Sequence, residues 1–458
     1  MDSQHPLLEW FSSVGIQLHP SLYLEQDPAT GLSFYTSQPL PPDTTVIQVP
    51  SSLCITSSSA FERIQKLCEV CTDRTTDIDQ SSLPAADWIL LYLVLSRLAI
   101  DFPSSDEHAW LSSVFTHLPY VAHIPRVIET PLHFSPAELA LLANTPLVGS
   151  TERRLRETIV DYTRTRTLLL GALHGSSHAF VTYLTAILTP IIDEQDDPLI
   201  AYTHLPGLEL WRWAESAFTS RTFPPRLIDL PSEAPILIPG YDTFNHARAH
   251  PVTWSSANGN VCMTLNHPVP GGAQVFNNYG GKSNEEFLSS YGFTLPTISE
   301  DTLALKLAGE GKTHYWVVPA ISSSHSDASG TGSSKTPSPC PTLMLELEQR
   351  VLQGEAPPTS AVEQLELYGE VLETLESLLL AKRKAFRASQ KQIDSQSPAL
   401  HTEQVTDSSY CRSTSNTIRP SVWTNIMQYR KGQLHLLNHA VDWTRTELER
   451  VADALDEH

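Results

Sequence analysis

The segment from Gly271 to Phe293, GGAQVFNNYGGKSNEEFLSSYGF, is the part of the sequence that most constrains the fold. Its first two glycines can adopt positive φ, so they predict a tight turn. A short strand is predicted after that turn, at Ala273 to Asn277, and a second glycine pair, Gly280-Gly281, ends it. The segment therefore predicts a turn followed by a short strand.

A short helix is predicted directly after the second glycine pair. Ser283 precedes Glu286 by the spacing of a capping box, and Gly292 stops the helix after Tyr291. Tyr291 and the earlier Tyr279 both lie beside glycines. Taken alone, these two tyrosines fit core packing, with each hydroxyl bonded to a backbone group.

A polar motif lies upstream of this segment. It has the form Asp-x-x-Asn-His, at Asp242, Asn245 and His246, and a hairpin turning at Asn258-Gly259 follows it. The order of this motif, the hairpin, Gly-x-Gln-Val-x-x-x-Tyr-Gly, Ser-Asn-x-Glu and Tyr-Gly-Phe resembles that of the SET-domain protein methyltransferases. More narrowly, it resembles the subgroup typified by the plant Rubisco large-subunit lysine methyltransferase.

This resemblance implies an α+β fold, in which a β-rich SET domain of short strands carries a helical insert and is followed by an all-α C-terminal domain. Apolar residues at helical spacing in 85–102 fit the insert, and the arginines of a helix predicted at 151–171 are expected on a solvated face. The predicted division is a split SET domain at 1–80 and 207–320, the insert at 81–206, a flexible linker at 321–342 and the helical domain at 343–458.

The resemblance also implies S-adenosylmethionine as the cofactor. The residues that match the family's cofactor contacts are Gly31, Leu32, Arg221, Asn245 and His246. In the family a Gly-x-Gly turn meets the methionine end of the cofactor, and here Ser33 stands at the position of the second glycine. A guanidinium fork suits a carboxylate, and an amide suits a purine edge. Without the motif, Arg221 would be assigned to helix-dipole compensation and His246 to core packing.

The substrate residues implied by the resemblance are Arg221, Asp242 and Tyr291. Tyr291 is the predicted catalytic residue, because the tyrosine of the family's Tyr-Gly-Phe motif holds the lysine nitrogen and orients its lone pair. In-line methyl transfer needs alignment and exclusion of water, and it needs neither a metal nor a covalent nucleophile.

Composition limits the partners. A chain of 458 residues with 41% hydrophobic residues can form two or three cores. The formal net charge of -21 disfavours direct nucleic-acid binding and is compatible with a basic protein substrate. Among six cysteines, only Cys68 and Cys71 form a Cys-x-x-Cys pair, and no second pair completes a zinc site. The N-terminal residues show no secretory signal, and the longest apolar run, 88–94, is too short to span a bilayer.

We therefore predict a monomeric protein-lysine methyltransferase of the cytoplasm or nucleus that acts on a non-histone protein, with ribosomal proteins favoured. It is expected to bind a protein bearing the target lysine and no membrane. Two alternatives stay open. One is a catalytically weak SET-fold module that binds a basic protein segment, which Ser33 and Ala304 favour because they depart from the subgroup's pattern. The other is a histidine methyltransferase.

Overall fold

The computed structural model describes residues 5–27, 30–72, 78–104, 108–189, 205–230, 234–297, 301–307, 312–317, 339–395 and 418–457. The predicted linker lies outside these residues up to position 338. Two compact units are present. The first contains the described residues of 5–128 and 154–281, and the second contains those of 129–153, 282–395 and 418–457.

The helices are given first, in chain order. They are α1 Pro6–Val14, α2 Ser57–Thr72, α3 Ala85–Asp101, α4 His108–Val114, α5 Leu118–His123, α6 Pro136–Ala140, α7 Pro146–Ala172, α8 Ala179–Leu188, α9 Pro206–Arg221, α10 Asn284–Tyr291, α11 Pro341–Leu352, α12 Ala361–Ser395 and α13 Pro420–Asp456. A 3-10 turn at Tyr241–Thr243 carries the aspartate of the Asp-x-x-Asn-His motif.

The strands are short and their sheets are antiparallel. They are β1 Gln17–Leu18, β2 Leu22–Asp27, β3 Gly31–Thr36, β4 Thr44–Pro50, β5 Thr222–Phe223, β6 Ile236–Leu237, β7 Val252–Ala257, β8 Asn260–Leu265, β9 Thr302–Lys306 and β10 Thr313–Val317. One sheet has the order β1-β4-β8-β7, and the pairs β2-β3, β5-β6 and β9-β10 form two-stranded sheets. Short strands and many helices confirm the predicted α+β class.

The hairpin of the first unit turns where the sequence predicts. Asn258 and Gly259 both have positive φ, 51° and 74°, and they join β7 to β8 through a two-residue loop. An Asn-Gly pair favours this loop because both central residues of a type I′ turn need positive φ. The hairpin places β8 against β4, whose Val46, Ile47 and Val49 are fully buried.

The structure corrects the prediction of a strand at Ala273 to Asn277. Two isolated bridges replace it, an antiparallel one from Gln274 to Tyr35 and a parallel one from Asn277 to His246. The segment pairs with a different partner at each end, so no continuous ladder forms and the prediction of a regular strand was wrong. Its ends therefore connect β3 to the Asp-x-x-Asn-His motif.

In the second unit, α10 has the predicted caps. The Ser283 side chain accepts a hydrogen bond from the backbone N–H of Glu286, and the Glu286 carboxylate accepts one from the backbone N–H of Ser283. Gly292 ends the helix at φ 80°, and a Cβ there would lie 2.7 Å from the carbonyl carbon of Glu129. A larger residue at position 292 would therefore be strained and would clash with backbone.

Two arginines of α7 in the first unit are partly exposed, with side chains 42% and 39% accessible, and each also bonds a buried carboxylate. Arg154 bonds Glu215 on α9, whose carboxylate is 2% exposed. Arg164 Nη2 lies 2.5 Å from Oδ2 of Asp87 on α3, and Asp87 is buried. Both arginines therefore link α7 to its neighbouring helices.

Among the described helices, none is long and apolar enough to cross a bilayer.

A reactive thiol is expected at the start of α11. Burial raises the pKa of Cys340, but hydrogen bonds involving Thr342, the Leu343 backbone and His314 outweigh burial and lower that pKa to about 7. His314 in turn bonds Thr342 at 3.0 Å and Glu346 at 2.7 Å. Burial, with smaller contributions from Cys71 and Glu69, raises the pKa of Cys68 to about 12.

We expect iodoacetamide to alkylate Cys340 at pH 7.5 at least about 100-fold faster than Cys68, because only the thiolate reacts. Peptide mapping separates the two sites, and a Thr342→Val variant should move the alkylation midpoint of Cys340 upward in pH. A Cys340 midpoint near pH 9 in the wild-type chain would contradict the expectation.

Candidate active site

Residues 245–247 and 277–279 of the first unit bond each other and form a platform that contains the Asn-His pair. The Asn277 N–H donates to the Asn245 carbonyl at 2.7 Å, and the Ala247 N–H donates to the Asn277 carbonyl at 3.1 Å. His246 Nδ1 accepts from the Tyr279 backbone N–H at 3.0 Å, so the neutral ring carries its proton on Nε2. The ring of Tyr279 stacks on that of His246 at 5.1 Å.

The β2-β3 hairpin lies beside this platform. Gly31 begins β3 at φ 81°, and a Cβ there would have no neighbour within 4 Å among the residues that the structure describes. The Asn245 side chain donates to the Thr30 carbonyl at 3.3 Å, and its backbone N–H donates to the Ser33 hydroxyl at 3.4 Å. Ser33 is fully buried, so its hydroxyl serves an internal contact. The structure therefore brings the start of β3, which contains Gly31 and Leu32, next to Asn245.

An ion pair adjoins the Asn-His motif. Arg221, the last residue of α9, donates from Nη1 to Asp242 Oδ2 at 3.0 Å and to the Asp242 carbonyl at 3.1 Å. The Tyr120 hydroxyl on α5 donates to the same Oδ2 at 2.8 Å. The Arg221 side chain is 20% exposed and that of Asp242 is 3% exposed, so solvent or a ligand can reach the guanidinium.

Two buried atoms of this ion pair, Arg221 Nε and Asp242 Oδ1, have no hydrogen-bond partner among the described residues. A buried unpaired polar atom costs about 1–3 kcal/mol, so such atoms at one ion pair indicate a binding position. Burial alone would lower the pKa of Arg221, but the carboxylate of Asp242 outweighs it and raises that pKa. The pair therefore offers an unused cationic donor, which suits a carboxylate, and an unused acceptor, which suits an amine.

Tyr291 belongs to the second unit, where it ends α10. Its ring makes edge contacts with Phe287 at 5.6 Å and Phe293 at 6.0 Å, and the Lys282 ammonium lies 5.9 Å from its centroid. Burial, and to a smaller extent Glu286, raises the pKa of Tyr291 to about 12. Its hydroxyl therefore stays protonated at neutral pH.

The sequence reasoning did not identify Tyr120 or the role of Tyr279. Tyr120 follows the Leu118-Pro119 pair of the insert, which gives no indication that its hydroxyl reaches the Asp-x-x-Asn-His motif. Tyr279 was assigned to packing with a backbone bond, and its hydroxyl does donate to the Phe244 carbonyl at 2.9 Å. It additionally fixes the orientation of the His246 ring.

The short-stranded sheets, the hairpin and the Asp-x-x-Asn-His turn define a SET fold, of the type found in Rubisco large-subunit methyltransferase. Solved structures confirm that class. Rubisco LSMT bound to AdoMet aligns with a TM-score of 0.60 and 17% identity, over 97% of this chain and 92% of that chain. The SET domain of LSMT bound to lysine and AdoHcy aligns with a TM-score of 0.59 and 16% identity, over 97% of this chain and 91% of that one.

Curated relatives are more similar in sequence. Ribosomal lysine N-methyltransferase set10 of Schizosaccharomyces pombe is 27% identical over 306 residues, covering 64% of this chain and 46% of the relative. Ribosomal lysine N-methyltransferase 1 of Saccharomyces cerevisiae is 23% identical over 322 residues, covering 67% of this chain and 51% of the relative. The chain spans about half the length of these relatives. No protein-family model matches the chain.

Proposed function

We propose that this chain is a protein-lysine N-methyltransferase that uses S-adenosylmethionine and acts on a non-histone protein. The observation that carries the proposal is the open ion pair, because Arg221 Nε and Asp242 Oδ1 are buried beside the Asn-His motif and no described residue bonds either atom. The carboxylate of S-adenosylmethionine matches the open donor of Arg221, and the amine of a substrate lysine matches the open acceptor of Asp242.

Five residues would hold the cofactor, and the first unit contains all of them. A Cβ at Gly31 would meet none of the described residues, so Gly31 and the adjoining Leu32 are proposed to face the cofactor. Arg221 would bind the carboxylate, and Asn245 and His246 would bind the adenine. The cofactor supplies a methyl group on a positively charged sulfur. The platform formed with Asn277 and Tyr279 keeps the Asn-His pair in one conformation, so little ordering is needed on binding.

The residues proposed for the substrate lysine are Arg221, Asp242 and Tyr291. A lysine amine must be neutral to accept a methyl group, and a desolvated surrounding favours the neutral form. The protonated Tyr291 hydroxyl would accept a hydrogen bond from an amine N–H, which leaves the nitrogen lone pair free for the methyl group. Holding the nitrogen and excluding water are the two tasks left to the protein.

A ribosomal protein is the proposed substrate class. The names of two similar proteins support it, since both are ribosomal lysine N-methyltransferases. The net charge of -21 supports it as well, because ribosomal proteins are commonly basic and a protein of opposite charge is attracted at long range.

The experiment that tests this proposal incubates the chain with S-adenosylmethionine carrying a labelled methyl group and with lysate from cells that lack the protein. We expect a discrete labelled protein, and we expect a Tyr291→Phe variant to label it at least about 100-fold more slowly, the scale of a lost positioning contact. Tyr368→Phe is the matched control, because Tyr368 is a partly buried tyrosine of the same unit that bonds Glu447. Equal labelling by the wild-type and Tyr291→Phe chains would exclude the proposed role of Tyr291.

If the wild-type chain binds the cofactor and labels no protein, the weak binding module becomes the better reading. If it neither binds nor labels, the proposed function is wrong.

A further inference from the structure

The two oxygens of the Asp242 carboxylate differ in the number of hydrogen bonds that they accept. Oδ2 accepts two hydrogen bonds, one from the Tyr120 hydroxyl at 2.8 Å and one from Arg221 Nη1 at 3.0 Å. Within the part of the chain that the structure describes, the buried Oδ1 accepts no hydrogen bond and the buried Arg221 Nε donates none. An Asp-Arg pair this close can usually form two parallel bonds. Here one bond of that fork is missing.

Tyr120 explains the missing bond. Because its hydroxyl binds Oδ2 from α5, the carboxylate has two donors on one oxygen and cannot turn without losing one of them. Removing the Tyr120 hydroxyl would let the carboxylate turn so that Oδ1 meets Arg221 Nε. The ion pair would then be closed on itself, with no open donor or acceptor for a ligand.

We propose that Tyr120 is a positioning residue that keeps the Arg221-Asp242 pair open for the amino-acid end of S-adenosylmethionine. This inference rests on the proposed function, and it assigns a specificity role to a side chain of the insert. The role is specific to the amino-acid end of the cofactor. Tyr120 bonds the ion pair, and among the described contacts it makes no hydrogen bond to the platform around the Asn-His pair.

The surroundings of Tyr120 suit a fixed donor. The side chain is 2% exposed, and its ring stacks on Trp10 at 6.5 Å with an interplanar angle of 18°. Burial, and then the charge of Asp242, raises the pKa of Tyr120 well above its usual value. The hydroxyl therefore keeps its proton across the physiological pH range and always donates.

Two ligands test the inference by calorimetric titration. S-adenosylhomocysteine carries the amino-acid end, whereas 5′-methylthioadenosine has the same nucleoside and a thioether without that end. We expect a Tyr120→Phe variant to bind S-adenosylhomocysteine about 5- to 10-fold more weakly than the wild-type chain, the scale of one lost hydrogen bond. Its affinity for 5′-methylthioadenosine should stay within about twofold.

The matched control is Tyr162→Phe, which removes another buried hydroxyl of the first unit, bonded to the Leu188 carbonyl at 2.9 Å. This control should bind both ligands as the wild-type chain does. Equal losses for both ligands in Tyr120→Phe would show a general structural role and overturn the inference, as would unchanged affinity for both. If the wild-type chain itself binds neither ligand, the proposed function fails together with the inference.

Discussion

An Arg221→Lys variant is expected to bind S-adenosylmethionine at least about 30-fold more weakly than the wild-type chain, because truncating one partner of a buried, hydrogen-bonded charge pair costs about 2–5 kcal/mol. Lysine keeps the charge and loses the planar fork, so it cannot bond Asp242 and also offer the equivalent of Nε to a carboxylate. Calorimetric titration of both chains measures the effect directly.

Arg154→Lys is the matched control for that loss. Arg154 also pairs with a buried carboxylate of the first unit, Glu215, and it lies outside the proposed site. We expect its cofactor affinity to equal that of the wild-type chain. If Arg221→Lys binds the cofactor as tightly as Arg154→Lys does, Arg221 does not hold the carboxylate.

The largest expected loss of stability comes from Arg430→Met in the second unit. The Arg430 guanidinium is 1% exposed and donates to the carbonyls of Leu141 and Ala143, to the Ser389 hydroxyl and to the Gln390 side chain. Burial lowers its pKa to about 10, so it is still charged at neutral pH. Its removal leaves buried acceptors without donors, and we expect the free energy of unfolding to fall by about 3 kcal/mol.

Denaturant titration followed by circular dichroism measures this loss, with Arg445→Met as the control. Arg445 pairs with Glu376 in the same unit, but its side chain is 51% exposed. Exposed pairs of this kind contribute about 0–1 kcal/mol. A similar loss in both variants would show that burial of the Arg430 guanidinium is not what makes it important.

The local structure was predictable wherever neighbouring residues determine it. The side chains of the capping box, Ser283 and Glu286, bond backbone N–H groups at the start of α10. Asn258 and Gly259 supply both positive φ values of the β7-β8 turn. These features depend on residues within four positions of each other. The sequence alone therefore located α10 and the β7-β8 hairpin.

Contacts between distant parts of the chain were not predictable in the same way. The segment after Gly272 has a strand-like composition, yet its bridges go to Tyr35 and to His246. Tyr120 lies far from Asp242 in sequence, and no periodicity or capping pattern links the two. Ser33 departs from the family pattern, and only the structure shows its bond to the Asn245 N–H. Each of these features depends on the fold bringing separate segments together.

The candidate site was partly predictable for a related reason. Arg221, Asp242, Asn245 and His246 lie in motifs that resemble those of a known family, and the structure places them within one unit together with Gly31. The roles of these residues and of Tyr291 remain predictions, of which the Arg221→Lys and Tyr291→Phe variants test two.

The most direct test of the central claim identifies the amino acid that receives the methyl group. The chain is incubated with purified ribosomal proteins and S-adenosylmethionine carrying a labelled methyl group, and the labelled protein is hydrolysed to amino acids. The account predicts that the label is recovered in methylated lysine and that Arg221→Lys reduces the amount strongly. Label recovered in methylhistidine, or no transfer by a chain that binds the cofactor, would contradict it.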